Sequence, residues 1–326
     1  MNRSLLTRIL FATDFSEDAA RAQEYAMYLA TAWDATLDVL HVLEAPAWLN
    51  ADAAAMVVVE QARKDAADRL ELVRAHLARS GIASTIRQVL GNPTEHICLA
   101  ARVGDADLVV LGVQGRTNPM YGLIGSTADR VVKDGPCPVL TVPGLREEAG
   151  KPSMASRQLP IRHILAPLDF SSSSLDAVEY ASHLAKGLDA AMTLMHVLEP
   201  ICYDLDCGLG MIEEETRKRD CWTRQLTELK EAVTSFGLQA NFEISVGMPS
   251  DAILACALRH QSDLVVMGTH GRRGPSDSRF GSVAEAVLRR AACPILTVKT
   301  PKFAPGHRRV TPPMMGITEN YKGVEP

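Results

Sequence analysis

Apolar residues follow two alternating rhythms along this chain. Ile9–Thr13 is a short, nearly unbroken apolar run, the pattern of a buried strand. Ser16 then precedes a stretch in which Ala22, Ala26, Leu29, Ala30 and Trp33 recur near the 3.6-residue period, which predicts a helix with Ser16 as its N-cap. Thr36–Leu43 reads as a second strand and Met56–Arg79 as a long helix ended by Ser80-Gly81. Ser84–Leu90 is a third strand. Pro93 opens a short helix, at a position where the missing N–H has no partner to lose. Leu108–Leu111 is a fourth strand, followed by a glycine-rich loop and a helix over Ser126–Asp134, and Val139–Val142 is a fifth.

The same order then runs again from His163 to Val298. Arg8-Ile-Leu-Phe-Ala-Thr-Asp14-Phe-Ser aligns with His163-Ile-Leu-Ala-Pro-Leu-Asp169-Phe-Ser, and Leu40-His41-Val42-Leu43-Glu44 with Met195-His196-Val197-Leu198-Glu199, both at an offset of 155. Gly91-Asn92-Pro93 meets Gly247-Met248-Pro249, and Cys137-Pro138-Val139-Leu140-Thr141-Val142 meets Cys293-Pro294-Ile295-Leu296-Thr297-Val298, at 156. One small insertion separates the two offsets, so the chain is an internal duplication. Strand–helix alternation predicts parallel strands joined by right-handed crossovers, with ligands beyond the strands' carboxyl ends. The expected fold is α/β: two tandem domains, each a five-stranded parallel sheet flanked by helices, Rossmann-like in organisation. The first domain is placed at 1–145, a Gly/Ser/Pro-bearing linker at 146–160, the second domain at 161–300 and an irregular C-terminal tail at 301–326.

Composition narrows the partners. Lysine plus arginine is 34 against 39 aspartate plus glutamate, a net charge of −5, among 326 residues. With a pI near 6.0, this argues against a general polyanion binder, so no nucleic-acid partner is expected. No apolar run approaches the ~18 residues of a membrane span, and Ile9–Ala12 is too short for a signal-peptide core. Seven scattered cysteines make a disulfide framework improbable. A cytoplasmic protein with free thiols is the expectation.

The chemistry lies after the fourth strand of each copy. Leu111-Gly112-Val113-Gln114-Gly115-Arg116 is followed by Gly125-Ser126-Thr127, and Met267-Gly268-Thr269-His270-Gly271-Arg272 by Gly281-Ser282-Val283. Both read glycine, two residues, glycine, nine residues, glycine, serine. The spacing persists although seven of the nine intervening residues differ, Met120-Tyr121 standing where Ser276-Asp277 stand in the second copy. Glycine lets backbone approach a ligand closely, successive N–H groups form an anion-binding concavity, and a helix opening at Gly-Ser offers free N–H groups and a dipole to phosphate. Turn-and-cap glycines are the plainer alternative. Arg116 and Arg272 are placed either to neutralise phosphate or to lie solvated at the surface.

On these residues the chain resembles the universal stress protein family, as a tandem two-domain member of its ATP-binding subgroup, over Arg8–Val142 and His163–Val298. The resemblance implies an adenine nucleotide alpha hydrolase-like sheet with ATP, with or without Mg2+, at its carboxyl edge. It implies that Asp14 and Asp169 meet the adenine end of the nucleotide, with Ala12, Thr13, Pro167 and Leu168 on the same wall. Val42 and Val197 match the position whose backbone reads adenine. Gly112, Gly115, Gly125, Ser126, Gly268, Gly271, Gly281 and Ser282 match ribose and phosphate contacts, with Thr127 and Val283 following in the helix start. For the two aspartates, helix capping before Ser16 and Ser171 is the competing role. Leu168 in place of Thr13 changes a ribose contact between the copies. The resemblance also implies an intramolecular pseudo-dimer through the last strands, near Val139–Val142 and Ile295–Val298, and is compatible with a homodimer of chains.

No Gly-Lys-Ser/Thr P-loop is present and no general base accompanies the glycine loops, so no catalytic residue is assigned. The expectation is a regulatory ATP-binding protein of the stress response that acts on an unidentified partner. A slow ATPase or autophosphorylating enzyme is one alternative, and a scaffold that has lost its nucleotide is another. Gly208-Leu209-Gly210 lacks the third glycine and the leading strand of a dinucleotide fingerprint. Cys202, Cys207 and Cys221 fit no standard zinc spacing, and no metal site is expected. Cys137 and Cys293 read as small apolar fillers, His41 and His196 as satisfied core histidines, and Glu213–Asp220 as a solvated helix face.

Overall fold

Strands and helices alternate along the chain as the apolar rhythms predict. The computed structural model describes residues 5–44, 53–115, 124–144, 159–199, 210–271, 280–299, 301, 303, 307 and 309–312. The first half comprises β1 (Arg8–Thr13), α1 (Glu17–Trp33), β2 (Thr36–Leu43), α2 (Ala53–Arg79), β3 (Ser84–Leu90), α3 (Pro93–Val103), β4 (Leu108–Gly112), α4 (Ser126–Asp134) and β5 (Val139–Val142). The second comprises β6 (His163–Pro167), α5 (Ser172–Leu188), β7 (Ala191–Leu198), α6 (Gly210–Ser235), β8 (Ala240–Val246), α7 (Pro249–Arg259), β9 (Leu264–Gly268), α8 (Ser282–Arg290) and β10 (Ile295–Val298). The long helix starts at Ala53, ahead of the expected Met56. Ala53-Ala54-Ala55 favour helix strongly but carry no apolar period to mark it.

The two half-sheets form one ten-stranded sheet in the order β3-β2-β1-β4-β5-β10-β9-β6-β7-β8. Strands pair in parallel within each half. The halves join where β5 and β10 pair antiparallel, Thr141 opposite Ile295, Leu140 opposite Leu296 and Val139 opposite Thr297. The seam is self-complementary, as a two-fold interface must be. Thr141 Oγ1 donates to the Ile295 carbonyl at 3.1 Å, and its repeat counterpart Thr297 donates to the Val139 carbonyl at 3.2 Å. The expected association through the last strands is therefore present within the chain.

Period-two alternation puts a core on each face. Ile9 and Phe11 of β1 join Leu37, Val39 and Val110 beneath α1 and α2, where Ala22, Tyr25, Ala26, Leu29, Leu70 and Leu77 are buried. Leu10 and Ala12 face the other way, with Leu40, Val109 and Leu111, against Ile97 and Ala101 of α3 and Ala128 and Val131 of α4. Both cores continue into the second half. Across the seam Gly187 of α5 accommodates Trp33 of α1, whose ring fills the space a Cβ at 187 would need.

The helix starts follow from their caps. Ser16 Oγ accepts the Ala19 N–H at 3.2 Å and Ser171 Oγ accepts the Ser174 N–H at 3.2 Å. Asp34 and Asp189 close α1 and α5 in the left-handed region, with φ of 52° and 54°. Thr216, Arg217, Arg219 and Asp220 of the charge run are exposed, as expected. In the tail, Phe303 and Val310 pack against the first core. The linker stretch 145–158, Cys202 and Cys207 lie outside the described residues.

Cys137 and Cys293 are buried fillers, as expected. Burial pushes the Cys293 thiol up to about 12, and burial with the neighbouring Glu243 does the same to Cys256. The thiolate is the nucleophile. Iodoacetamide at pH 8 should therefore leave both cysteines unmodified in the native protein, as read by peptide mass spectrometry. Labelling of either at the rate of a free thiol would contradict this.

Candidate functional site

The chain leaves β1 toward β2 on one side and leaves β4 toward β5 on the other, so a crevice opens between the carboxyl ends of β1 and β4. Ala12 and Thr13 end β1, and Asp14 follows. Gly112 ends β4, Gly115 follows three residues on, and Gly125 is the N-cap of α4, which begins with Ser126 and Thr127. Val42 lies at the same edge on β2, one residue beyond the Thr13–His41 pair. The second half repeats the arrangement with Pro167 ending β6 and Leu168 and Asp169 following, Gly268 ending β9 and Gly271 three residues on, Gly281 capping Ser282 and Val283 of α8, and Val197 on β7.

Each glycine has a neighbour that explains it. A Cβ on Gly112 would stand 2.8 Å from the Ala19 nitrogen and the Asp18 carbonyl carbon, because the start of α1 lies directly against it. On Gly268 it would meet Ser173 of α5 in the same way. A Cβ on Gly115 would stand 2.8 Å from Asp14 Oδ2, and one on Gly271 2.8 Å from Asp169 Oδ2. The third glycine closes the loop: the Gly125 N–H donates to the Val113 carbonyl at 2.8 Å, and the Gly281 N–H to that of Thr269 at 2.7 Å. Chain that leaves at Gly115 thus returns beside it at Gly125. Arg116 and Arg272 fall outside the described residues.

The aspartates combine both expected geometries. Asp14 Oδ1 accepts the Ser16 N–H at 3.0 Å, and Asp169 Oδ1 accepts the Ser171 N–H at 3.0 Å and the Ser171 hydroxyl at 2.6 Å. These are the turn-capping bonds. The second oxygen of each carboxylate faces the middle glycine of its loop. The wall behind is held by histidine: His41 Nδ1 lies 2.8 Å from the Thr13 carbonyl and His196 Nδ1 2.8 Å from that of Leu168, so each ring carries its proton on Nδ1. Both are satisfied core histidines, as expected. The Thr13 hydroxyl is buried and accepts the Phe15 N–H at 3.1 Å, which ties it to the turn; in the second half the Asp169 N–H donates to Ser174 Oγ at 3.3 Å instead.

The mouth of α4 is electrostatically open. Neither Gly125 nor Gly281 supplies a capping side chain, unlike Ser16, Asn92 and Ser171 at other helix starts. A first-turn acid would oppose an anion here. In α4 that acid, Asp129, is paired with Lys133 at 2.8 Å, and in α8 Glu285 is paired with Arg289 at 2.7 Å.

Residues 6–143 and 160–299 each match the Universal stress protein family. This chain belongs to that family. A universal stress protein of Methanocaldococcus jannaschii is 31% identical over 144 residues, 43% of this chain and 84% of the relative. A tandem relative, a universal stress protein of Synechocystis, aligns over 315 residues at 22% identity, 90% of this chain and all of its own length. The crystal structure of a universal stress protein from Archaeoglobus fulgidus superposes with a TM-score of 0.65 at 22% identity, covering 90% of this chain and 98% of that one, which establishes a shared fold. Within the family fold, two groups at the site went unnoticed in the sequence. Phe15 and Phe170 adopt φ of 61° and 64°, a conformation bulky residues avoid, between the aspartate and the capping serine. Their rings lie against His41 at 4.6 Å and His196 at 5.4 Å. The Asp-Phe-Ser repeat in both copies was the available signal, but phenylalanine reads first as core. Asp18 accepts the Gln114 N–H at 2.9 Å and so latches the glycine loop to α1. Its counterpart is Ser173, so the repeat carries no trace of it.

Proposed function

We propose that each half binds ATP at the crevice between β1 and β4, or β6 and β9, and that the chain is a regulatory nucleotide-binding protein of the stress response. The observation that carries this is the twin arrangement of Gly115 beside Asp14 and Gly271 beside Asp169, each facing a helix whose glycine cap leaves its first turn without a capping side chain. A triphosphate is favoured at such a helix start. The carboxylate would repel it and suits a ribose hydroxyl or exocyclic amine, so the nucleotide lies with its sugar and base toward Asp14 or Asp169 and its phosphates toward Ser126 or Ser282. Because the Gly125 and Gly281 N–H groups are already bonded within the loop, the phosphate donors are the first-turn groups from Ser126 and Ser282 onward.

Isothermal titration of the full chain with ATP, with and without Mg2+, tests this. Two sites are expected, with Asp14→Ala and Asp169→Ala each removing one. Saturating ATP at 100 times Kd should add about 2.7 kcal/mol of stability per site. Absence of saturable heat, together with an unmoved melting temperature, would overturn the reading.

A further inference from the structure

Glu179 of α5 has no exposed surface. A buried carboxylate needs donors, and the C-terminal tail supplies them. The Val310 N–H lies 3.0 Å from both oxygens, the Thr311 N–H and hydroxyl lie 2.9 and 3.0 Å from Oε2, and His307 Nε2 lies 2.7 Å from Oε1. His183, one turn further along α5, brings its own Nε2 to 3.3 Å from the same Oε1. That nitrogen is buried and makes no hydrogen bond. One ligand atom from each of Glu179, His183 and His307 lies within 4.8 Å of the other two.

One carboxylate and two imidazoles are a donor set that suits Zn2+. Helical i,i+4 spacing puts Glu179 and His183 on one face, and the tail closes over them with the third group. Zinc bonds of ~2.0–2.2 Å set tetrahedral ligand–ligand edges near ~3.3 Å. The His183 edge already has that length, and the His307 edge needs to open by about 0.6 Å from its hydrogen-bonded distance. Both rings are held by aromatic neighbours: Phe303 stacks on His307 at 4.4 Å and 11°, and Phe236 meets His183 edge-on at 4.8 Å.

We infer that Glu179, His183 and His307 form a Zn2+ site that clamps the C-terminal tail onto α5. The other convergent group, Glu243, Cys256 and His260, does not match it. There Arg259 Nη1 lies 3.0 Å from Glu243 Oε1 and His260 Nε2 2.7 Å from Oε2, so the carboxylate already has a permanent cationic partner. The inference is independent of the nucleotide reading, since the clamp shares no residue with either crevice.

Titrating chelator-treated full-length protein with Co2+ tests the clamp. The visible absorption of four- or five-coordinate Co2+ is expected to saturate at one equivalent and to be displaced by Zn2+. His183→Ala and His307→Ala should each weaken Zn2+ binding tenfold or more, while His260→Ala leaves it unchanged. His307 lies outside every helix and strand, so its replacement spares the sheet. Zn2+ should also slow tryptic cleavage after Arg309 at least tenfold in the parent and not in His307→Ala. A missing absorption band, binding indifferent to His183→Ala, or an equal loss in His260→Ala would overturn the assignment.

Discussion

Leu296→Ala lowers the unfolding free energy by about 2–5 kcal/mol, the range for emptying a fully packed leucine site. Leu296 and Leu140 face each other at the centre of the seam, and both are buried in the core that continues through the two halves. Leu140→Ala is expected to cost the same. The two changes share one space, so the double variant should depart from the sum of the singles. Urea denaturation followed by far-UV circular dichroism measures all three. A loss under about 1 kcal/mol for either single variant would mean that the seam relaxes around the cavity and contributes little. Thr141 and Thr297 make the prediction sharper, because their hydroxyl bonds span the same junction and remain in place in the leucine variants.

Gly112→Ala has the second large effect, and it acts in two ways. The new methyl group meets backbone of α1, which has no rotamer by which to yield. Overpacking of this kind costs about 1–3 kcal/mol. Relief requires α1 to move away from β4, and α1 carries Ser16 and Asp18, which bond the Gln114 carbonyl and N–H and thereby seat the glycine loop. Melting temperature should therefore fall, and ATP affinity of the first half should fall at least tenfold. The second half is left unchanged. Gly268→Ala should do the converse through Ser173. If Gly112→Ala melted as the parent and bound ATP equally at both sites, the close approach of α1 would have no bearing on the crevice.

The strands and their order of appearance were legible because buried parallel strands write short apolar runs and the helices between them write a clear 3.6 period. The duplication made each half a check on the other, and it exposed the glycine spacing against an intervening stretch that differs at seven of its nine positions. What stayed hidden depends on contacts between distant residues. Gly112 reads as a ligand-facing glycine, yet what forbids a side chain there is the backbone of Asp18 and Ala19, over ninety residues earlier. Glu179 reads as one polar position on an amphipathic helix. Its partners His307 and Thr311 stand 128 and 132 residues away in a stretch with no periodicity at all. Asp18 and Ser173 differ between the copies, so repeat matching passes over them.

Because β5 and β10 run in opposite directions, the carboxyl ends of the two half-sheets emerge on opposite margins of the molecule. On the proposed reading, the two nucleotides would therefore lie at opposite margins of one sheet. Thr13 against Leu168 and Asp18 against Ser173 give each margin a lining of its own.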